Sequence, residues 1–416
     1  MNRLLRIGFD TFLTSVTPIL GWFLLGILVD KNLINIFSLI YPMQFVISAI
    51  QSVFGTGANI SSIRDKNKNS VFSGVILGSG IGLIILGCVA INIDKYITFM
   101  NMDIDTYKIF GVYAVIQMFF QLLLNLSLCK LYFEEENKRA NKYSLLFNLI
   151  NFSSLIIMSL ITKEQIKIVG ISVICMSVFV VIMMFRIVEK TKFKINIVNC
   201  IKYDSVYLFA EISMFIIYLF GFKNSFDFGE KYILATSFAT LITDTQWDIA
   251  YAIKTVAQID ITKKEFSYNE HIKNSRKLVY LLIISSIIMG IILYPSYKVD
   301  IMATSIIVSI ELVSLYMYPI YLTKLTYIQL EHSAVKATIS KQIANIIRIF
   351  CSFISSPFCT SIGLAVSVIY QLVSTQYITE KNKIIATHLR DTTREKLKSD
   401  EINNVLVVED GYVFEI

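Results

Sequence analysis

Apolar residues in this chain form long runs separated by short charged clusters. Each run is roughly 20 residues long, the length an α-helix needs to cross a hydrocarbon core about 30 Å thick. The pattern predicts an all-α polytopic membrane protein with twelve transmembrane helices. Their approximate bounds are 7–29, 33–57, 70–92, 106–129, 143–161, 167–188, 204–222, 231–256, 278–296, 300–323, 335–357 and 361–380.

The composition excludes several classes of protein for the chain as a whole. Hydrophobic residues make up 55% of it and charged residues only 17%, whereas soluble domains average about 25% charged residues. A soluble enzyme, a secreted disulfide module and a nucleic-acid binder do not fit these values. Six cysteines and three histidines show no metal-ligand spacing, so we expect no metal site and no cofactor.

Enzyme motifs are also missing from the sequence. The phosphate-binding pattern G-x-x-x-x-G-K-[ST] does not occur, which argues against ATP hydrolysis by this chain. Asp244 and Asp248 faintly resemble the Asp-rich magnesium sites of intramembrane prenyltransferases, but the second Asp-rich segment that such enzymes need is not found. We therefore expect no enzymatic activity and no catalytic residues.

The net charge of +7 reflects the loops. Lys and Arg concentrate in every second loop, and the positive-inside rule places such loops in the cytoplasm. Both termini are therefore expected to be cytoplasmic. A composition rich in Lys and Asn and poor in Ala is typical of AT-rich bacterial genomes, which predicts a bacterial plasma membrane. Examples of the basic loops are Arg64 to Lys68, Lys138 to Lys142, and Lys190 to Lys194.

The longest cytoplasmic connection follows the sixth span and divides the chain into equal halves. We expect an N-terminal six-helix bundle over 1–190, a linker over 191–203, a second bundle over 204–382 and a cytoplasmic tail over 383–416. Two parallel bundles related by a pseudo-two-fold axis suit alternating access. The tail is expected to form a short helix with an extended end. A monomer in the lipid bilayer is the expected state.

Several short motifs occur in the order found in one family. They are Tyr41-Pro42 followed by Gly55-Thr-Gly57-Ala-Asn59, Ile150-Asn151-Phe152, Ala235 to Thr240 with Ala252 to Gln258, and Ile346 to Phe350 with Ile362-Gly-Leu-Ala. With these motifs the sequence resembles multidrug and toxic compound extrusion (MATE) transporters, whose wider superfamily includes polysaccharide flippases. The resemblance implies export of a small organic solute by antiport with Na⁺ or H⁺.

The first half departs from the pattern that this resemblance implies. The family carries a cation site formed by an Asp midway along helix one and an Asp four residues after the fifth-helix Asn. Here the first span reads Gly21-Trp-Phe-Leu-Leu at its middle, and the fifth-span position is Leu155. Neutral side chains such as Asn148 and Asn151 remain. Cation coupling is therefore not expected in this half.

The second half carries ionisable residues inside its spans, where each is costly unless it is paired or hydrated. Glu211 falls where the family carries a helix-seven Glu. Asp244 and Asp248 share one helix face because they are four residues apart. We expect these three residues to couple a cation, with Glu311 as an accessory. Alternatively, Glu211 reaches the cytoplasmic interface and the two aspartates line a water-filled cavity.

A substrate cleft is expected between the halves. Its candidates include Asp10, which could instead be a solvated charge at the interface. The alternative function is a flippase for a lipid-linked saccharide. Such flippases carry several cavity cations, whereas the candidate charges here are mostly acidic, so a cationic or neutral solute is favoured. The cleft candidates are Asp10, Asn148, Asn151, Trp247, Tyr318 and Arg348, the last needing a carboxylate partner such as Glu311.

Overall fold

The computed structural model of the chain consists almost entirely of long helices. It describes residues 4–5, 17–30, 33–67, 69–133, 136–250, 252–262, 267–328, 334–386, 406–409 and 412–415.

The first half of the chain contains eight helices, α1 to α8, within the described residues. A π-helical turn, Ser52–Gly57, joins α2 to α3, so that these two helices form one long rod. The helices are α1 Thr17–Leu28, α2 Ile34–Gln51, α3 Ala58–Arg64, α4 Ser70–Ile91, α5 Ile93–Phe99, α6 Ile104–Phe133, α7 Asn137–Ile161 and α8 Gln165–Ile187.

The second half repeats this order and ends in a small sheet. Its elements are α9 Ile197–Asp227, α10 Glu230–Ala250, α11 Ala252–Thr262, α12 Tyr268–Tyr297, α13 Ile301–Tyr327, α14 Ala334–Ser352, α15 Cys359–Ala386, β1 Leu406–Glu409 and β2 Tyr412–Glu415.

Each of the twelve predicted spans contains a described helix or helix pair, the first of them being described only from Thr17 onward. Within the described part of the chain, nine helices are long and apolar enough to cross a membrane. The other three spans correspond to α1, the pair α10 and α11, and the amphipathic α14. Several helix ends differ from the sequence-based bounds: α12 begins at Tyr268 instead of about 278, α9 begins at Ile197 instead of about 204, and α15 continues to Ala386 instead of about 380. The protein is a multi-pass membrane protein.

Neighbour relations within the first half recur in the second. The pairs α1–α7, α2–α6, α4–α6, α6–α8 and α7–α8 have counterparts in α9–α14, α10–α13, α12–α13, α13–α15 and α14–α15. Each second-half pair joins spans with the same rank within their half as the first-half pair; for example, α1–α7 and α9–α14 each join the first and fifth spans of their half. The helices therefore form two six-helix bundles related by pseudo-two-fold symmetry, as the sequence predicts. The residue bounds assigned to each bundle stay a prediction.

Glycines bring the rod formed by α2 and α3 close to its neighbours. A Cβ on Gly57 would lie closer than 3.0 Å to the carbonyl oxygen of Cys200 on α9. A Cβ on Gly74 of α4 would be equally close to the carbonyl oxygen of Phe54 in the π-helical turn. The π-helical turn is thus packed backbone-to-backbone against both a helix of its own bundle and a helix of the other.

The tail differs from the all-α expectation. Strands β1 and β2 pair antiparallel, with Leu406 opposite Glu415 and Glu409 opposite Tyr412. The sequence contains the reason, because β-branched valines favour strands and Asp410-Gly411 is a pair that favours a two-residue hairpin turn. The extended end expected for the tail is thus a pair of strands, and the short helix expected before it falls on residues 387–405, outside the described residues.

Candidate functional site

A buried carboxylate lies at the centre of the second bundle. Glu311 on α13 is 8% exposed. The Thr243 hydroxyl of α10 donates to Glu311 Oε2 at 2.6 Å, and the Ser361 hydroxyl of α15 donates to Oε1 at 3.2 Å. Three helices thus converge on one carboxyl group, and their hydroxyls replace part of the hydration that the group loses in the bilayer.

Arg348 on α14 faces the same centre. Its guanidinium interacts electrostatically with Glu311, the partner that the sequence suggests for it. Arg348 Nη1 also lies 3.3 Å from Met214 Sδ on α9. The hydroxyl of Tyr218, one helical turn further along α9, is within the electrostatic influence of Arg348, Glu311 and Asp244. These groups form a single polar centre, defined by Tyr218, Thr243, Asp244, Glu311, Arg348 and Ser361.

Asp244 connects this polar centre to the first bundle. The Tyr41 hydroxyl of α2 donates a hydrogen bond to Asp244 Oδ2. One turn before Tyr41 on α2 and two turns before Asp244 on α10, the hydroxyls of Ser38 and Ser237 are hydrogen-bonded to each other. The Tyr41 ring also packs edge-on against Tyr218, with centroids 4.8 Å apart. A carboxylate of one bundle is therefore bonded directly to a helix of the other.

Two aromatic residues predicted for the substrate cleft lie beside each other. Trp247 packs edge-on against Tyr318, with a centroid distance of 4.9 Å and an interplanar angle of 87°. Trp247 is three residues after Asp244, so it lies about 4.5 Å further along α10. Both rings are half-buried and form a wall near the polar centre.

Glu211 lies on the helix face that reaches the polar centre. It is half-buried on α9, three residues before Met214 and seven before Tyr218. That spacing keeps the three residues on one side of the helix, with Glu211 about 10 Å from Tyr218 along the axis. Asp248 is on α10, but its side chain lies outside the described residues, as does the whole of Asp10.

A neutral site occupies the equivalent region of the first bundle. Asn151 Oδ1 accepts a hydrogen bond from the Ser172 hydroxyl at 2.9 Å. A Cβ on Gly21 would lie 2.7 Å from Asn151 Nδ2. These residues and Leu155 line a small cavity with room for about one water molecule. Asn148, one turn before Asn151, is buried on the same helix.

The structure brings together Asp244, Glu311 and Arg348 among the candidates from sequence, while Asn148 and Asn151 lie in the first bundle. Sequence reasoning missed the partners of the carboxylates, namely Tyr41, Tyr218, Thr243 and Ser361. Tyr41 belongs to the Tyr41-Pro42 motif that carries part of the resemblance, so a signal existed there. Hydroxyl residues are frequent in these helices, and their positions in sequence gave no such signal. The functional roles of the candidates stay predictions.

No family model matches the chain, and no curated protein matches it. Solved structures with a similar fold do exist. An inward-facing multidrug resistance MATE family transporter of the MOP superfamily is 13% identical, with a TM-score of 0.62 over 92% of this chain and 95% of that one. A MOP superfamily transporter from Pyrococcus furiosus, whose binding pocket is described as having reverse polarity, is 14% identical, with a TM-score of 0.63 over 90% and 95%. The lipid II flippase MurJ in an inward closed conformation is 16% identical, with a TM-score of 0.62 over 90% and 87%.

Proposed function

We propose that this chain, which has the fold shared by MATE transporters and the lipid II flippase, is a secondary active transporter that exports an organic solute by antiport with Na⁺ or H⁺. The observation that carries the proposal is the polar centre of the second bundle. Glu311 is held there by hydroxyls from two other helices, and Asp244 reaches across to the first bundle. Buried carboxylates at a contact between moving halves are suited to couple a cation to alternating access.

The hydrogen bonds around Thr243 fit a carboxyl group that gains and loses a proton. The Thr243 hydroxyl lies 2.6 Å from Glu311 Oε2 and 3.0 Å from the carbonyl oxygen of Ala239. A hydroxyl has one proton to donate, so it can serve only one of these acceptors while Glu311 is ionised. A proton on Glu311 satisfies both contacts, because the carboxyl then donates to Thr243 and Thr243 donates to Ala239.

The substrate class follows from the charges and rings near the polar centre. The polar centre contains two carboxylates, Asp244 and Glu311, and one cationic side chain, Arg348. This balance of charge favours a cationic or neutral solute. Trp247 and Tyr318 present aromatic edges and faces that suit a planar or cationic group. Arg348 would balance the carboxylates when the coupling cation is absent. Each of these assignments rests on proximity and charge.

The direct test is gradient-driven transport of a fluorescent organic cation by protein reconstituted in liposomes. Asp244→Asn and Glu211→Gln should each abolish uptake driven by an imposed Na⁺ or pH gradient while leaving membrane insertion intact. Asp94→Asn, at an exposed residue paired with Lys108, is the matched control and should transport normally. If both core variants transport normally while Asp10→Asn is inactive, the coupling group lies in the first bundle and the assignment is wrong.

A flippase for a lipid-linked saccharide is the second candidate function. It is favoured by the buried side chain of Lys254, which is 7% exposed on α11, since a pyrophosphate needs cationic partners. Arg348 would be a second cation. Liposomes containing a fluorescent pyrophosphate-linked lipid distinguish the two functions. Movement of that lipid without movement of the organic cation would establish the flippase and refute solute export.

A further inference from the structure

Tyr41 lies where three helices of the two bundles meet. Its ring packs against Tyr218 at 4.8 Å and Phe222 at 5.9 Å, both on α9. Its hydroxyl donates to Asp244 on α10. The side chain is 7% exposed. The position lies about two turns from the α2 end that is predicted to face outward, so the contact is deep between the bundles.

Two consecutive residues of α10 make hydrogen bonds in different directions, one within the second bundle and one to the first bundle. Thr243 faces the interior of its own bundle and donates to Glu311. Asp244, the next residue, faces the first bundle and accepts from Tyr41. Neighbouring residues on a helix point about 100° apart, so a rotation of α10 that changes one contact changes the other. The helix therefore links the buried Glu311 to the contact between bundles.

We propose that the hydrogen bond from Tyr41 to Asp244 is a latch that holds the outward-predicted ends of the two bundles together, and that a cation bound at Asp244 releases it. The inference rests on the proposed antiport, for which it supplies the mechanical link. Tyr41 on α2 bonds Asp244, and Tyr218 on α9 interacts electrostatically with it; Glu311 on α13 and Arg348 on α14 act on the same Tyr218 hydroxyl.

Charge determines how firmly the latch holds. A hydrogen bond to an ionised carboxylate is roughly twice as strong as one between neutral groups. A proton or Na⁺ at Asp244 neutralises the carboxylate and competes for the oxygen that Tyr41 contacts. The ratio of closed to open bundles should then fall by about tenfold or more, given the size of a charged hydrogen bond.

Ser38 and Ser237 provide a reporter of the closed state. Their hydroxyls are hydrogen-bonded to each other across the two bundles, so cysteines at these positions would lie within reach of a disulfide. The full chain carrying Ser38→Cys and Ser237→Cys is oxidised with copper phenanthroline in liposomes. The rate is read from the peptide that links residues 38 and 237, which distinguishes it from products of the native cysteines.

The latch predicts a defined set of rates. In the reporter protein the cross-linking rate, divided by the oxidation rate of an exposed thiol under the same conditions, should fall as pH is lowered or Na⁺ is raised. Tyr41→Phe should reduce the rate about tenfold and remove this dependence, and Asp244→Asn should do the same. The protein that carries both Tyr41→Phe and Asp244→Asn should cross-link at the same rate as either single variant, because the two changes remove the same hydrogen bond. Tyr96→Phe is the control, since the Tyr96 hydroxyl bonds the Leu39 carbonyl at 2.8 Å within the first bundle.

Two results would overturn the latch. One is a Tyr41→Phe protein that cross-links at the reporter rate with unchanged pH and Na⁺ dependence. The other is a double variant whose defect is the product of the two single defects. If Tyr41→Phe does not fold, Asp244→Asn alone decides the question by the same readout. The assay needs no substrate, so cross-linking that follows the prediction without solute transport would refute the antiport and keep the latch.

Discussion

Gly57 offers a quantitative test of the contact between the bundles. Gly57→Ala adds a methyl group that would lie closer than 3.0 Å to the backbone carbonyl oxygen of Cys200. Ordinary contact begins at 3.4 Å, so the π-helical turn and α9 would have to separate by at least 0.4 Å (3.4 − 3.0). Because the obstacle is backbone, no side-chain rotation can relieve it.

The expected cost follows from that geometry. Inserting a methyl group into a filled contact typically costs about 1–3 kcal/mol, which exceeds the gain of up to about 1 kcal/mol from replacing a helical Gly with Ala. Gly57→Ala should therefore lower the free energy of unfolding. Gly74→Ala should cost a similar amount, because its methyl group would meet the Phe54 carbonyl oxygen within the first bundle.

Gly80→Ala is the matched control. This glycine is also on α4, and among the described residues nothing lies within 4 Å of an added Cβ. Its substitution should leave the protein equally stable or more stable. Thermal unfolding of the purified proteins in detergent measures all three variants. If Gly57→Ala is as stable as Gly80→Ala, the π-helical turn and α9 are not in backbone contact and the packing described above is incorrect.

Three further expectations can be checked with standard assays. Glu311→Ala should unfold at lower temperature than Glu311→Gln, because the glutamine keeps an oxygen for Thr243 whereas alanine leaves both hydroxyls without the carboxylate; equal melting temperatures would contradict this. Asp103→Asn should be less stable than the unmodified protein at pH 7, because Thr106 hydrogen bonds lower the pKa of Asp103. The difference should begin to shrink as pH falls below about 4, where the unfolded state takes up a proton, and should be lost once pH is below the lowered pKa of the folded state. A difference that is the same at pH 3 as at pH 7 would argue against it. Deleting residues 387–416 should leave transport at normal expression unchanged, and a loss of transport would show that the tail acts in the cycle.

The sequence predicts the fold well because spanning helices follow from hydrocarbon thickness and loop charge. Residues 70–92 and 300–323 were expected from hydropathy alone, and the helices Ser70–Ile91 and Ile301–Tyr327 occupy them. The repeat of helix neighbours could be anticipated from the equal division of the chain. The π-helical turn could not, because it depends on close packing against α4 and α9 and has no hydropathy signature.

The site was only partly predictable. Asp244, Glu311 and Arg348 stand out in the sequence since charges are rare inside spans, and the structure brings them together. The direction of each side chain depends on helix rotation, which the sequence does not show. For this reason the contact of Asp244 with Tyr41, more than 200 residues earlier in the chain, appears only in three dimensions. Leu155 and Gly21 do line one cavity, and that cavity is neutral as the sequence indicates.

Helix α14 has a consequence for how the protein enters the membrane. One face is apolar and exposed, with Ile339, Ile343 and Phe350 among its residues, while the other buries Asn345 and turns Arg348 inward. For an isolated helix of this kind, transfer from the aqueous channel of the insertion machinery into lipid costs free energy, because its charged and polar side chains lose their hydration. Part of its polar side is covered when α15 packs against it, since the Ser340 hydroxyl lies 2.8 Å from that of Ser374, and only the six residues 353–358 separate the two helices. Helices α14 and α15 are therefore suited to leave the insertion channel as a pair, in which each shields a serine of the other from lipid, while Arg348 finds its partners on α9 and α13, which are made earlier.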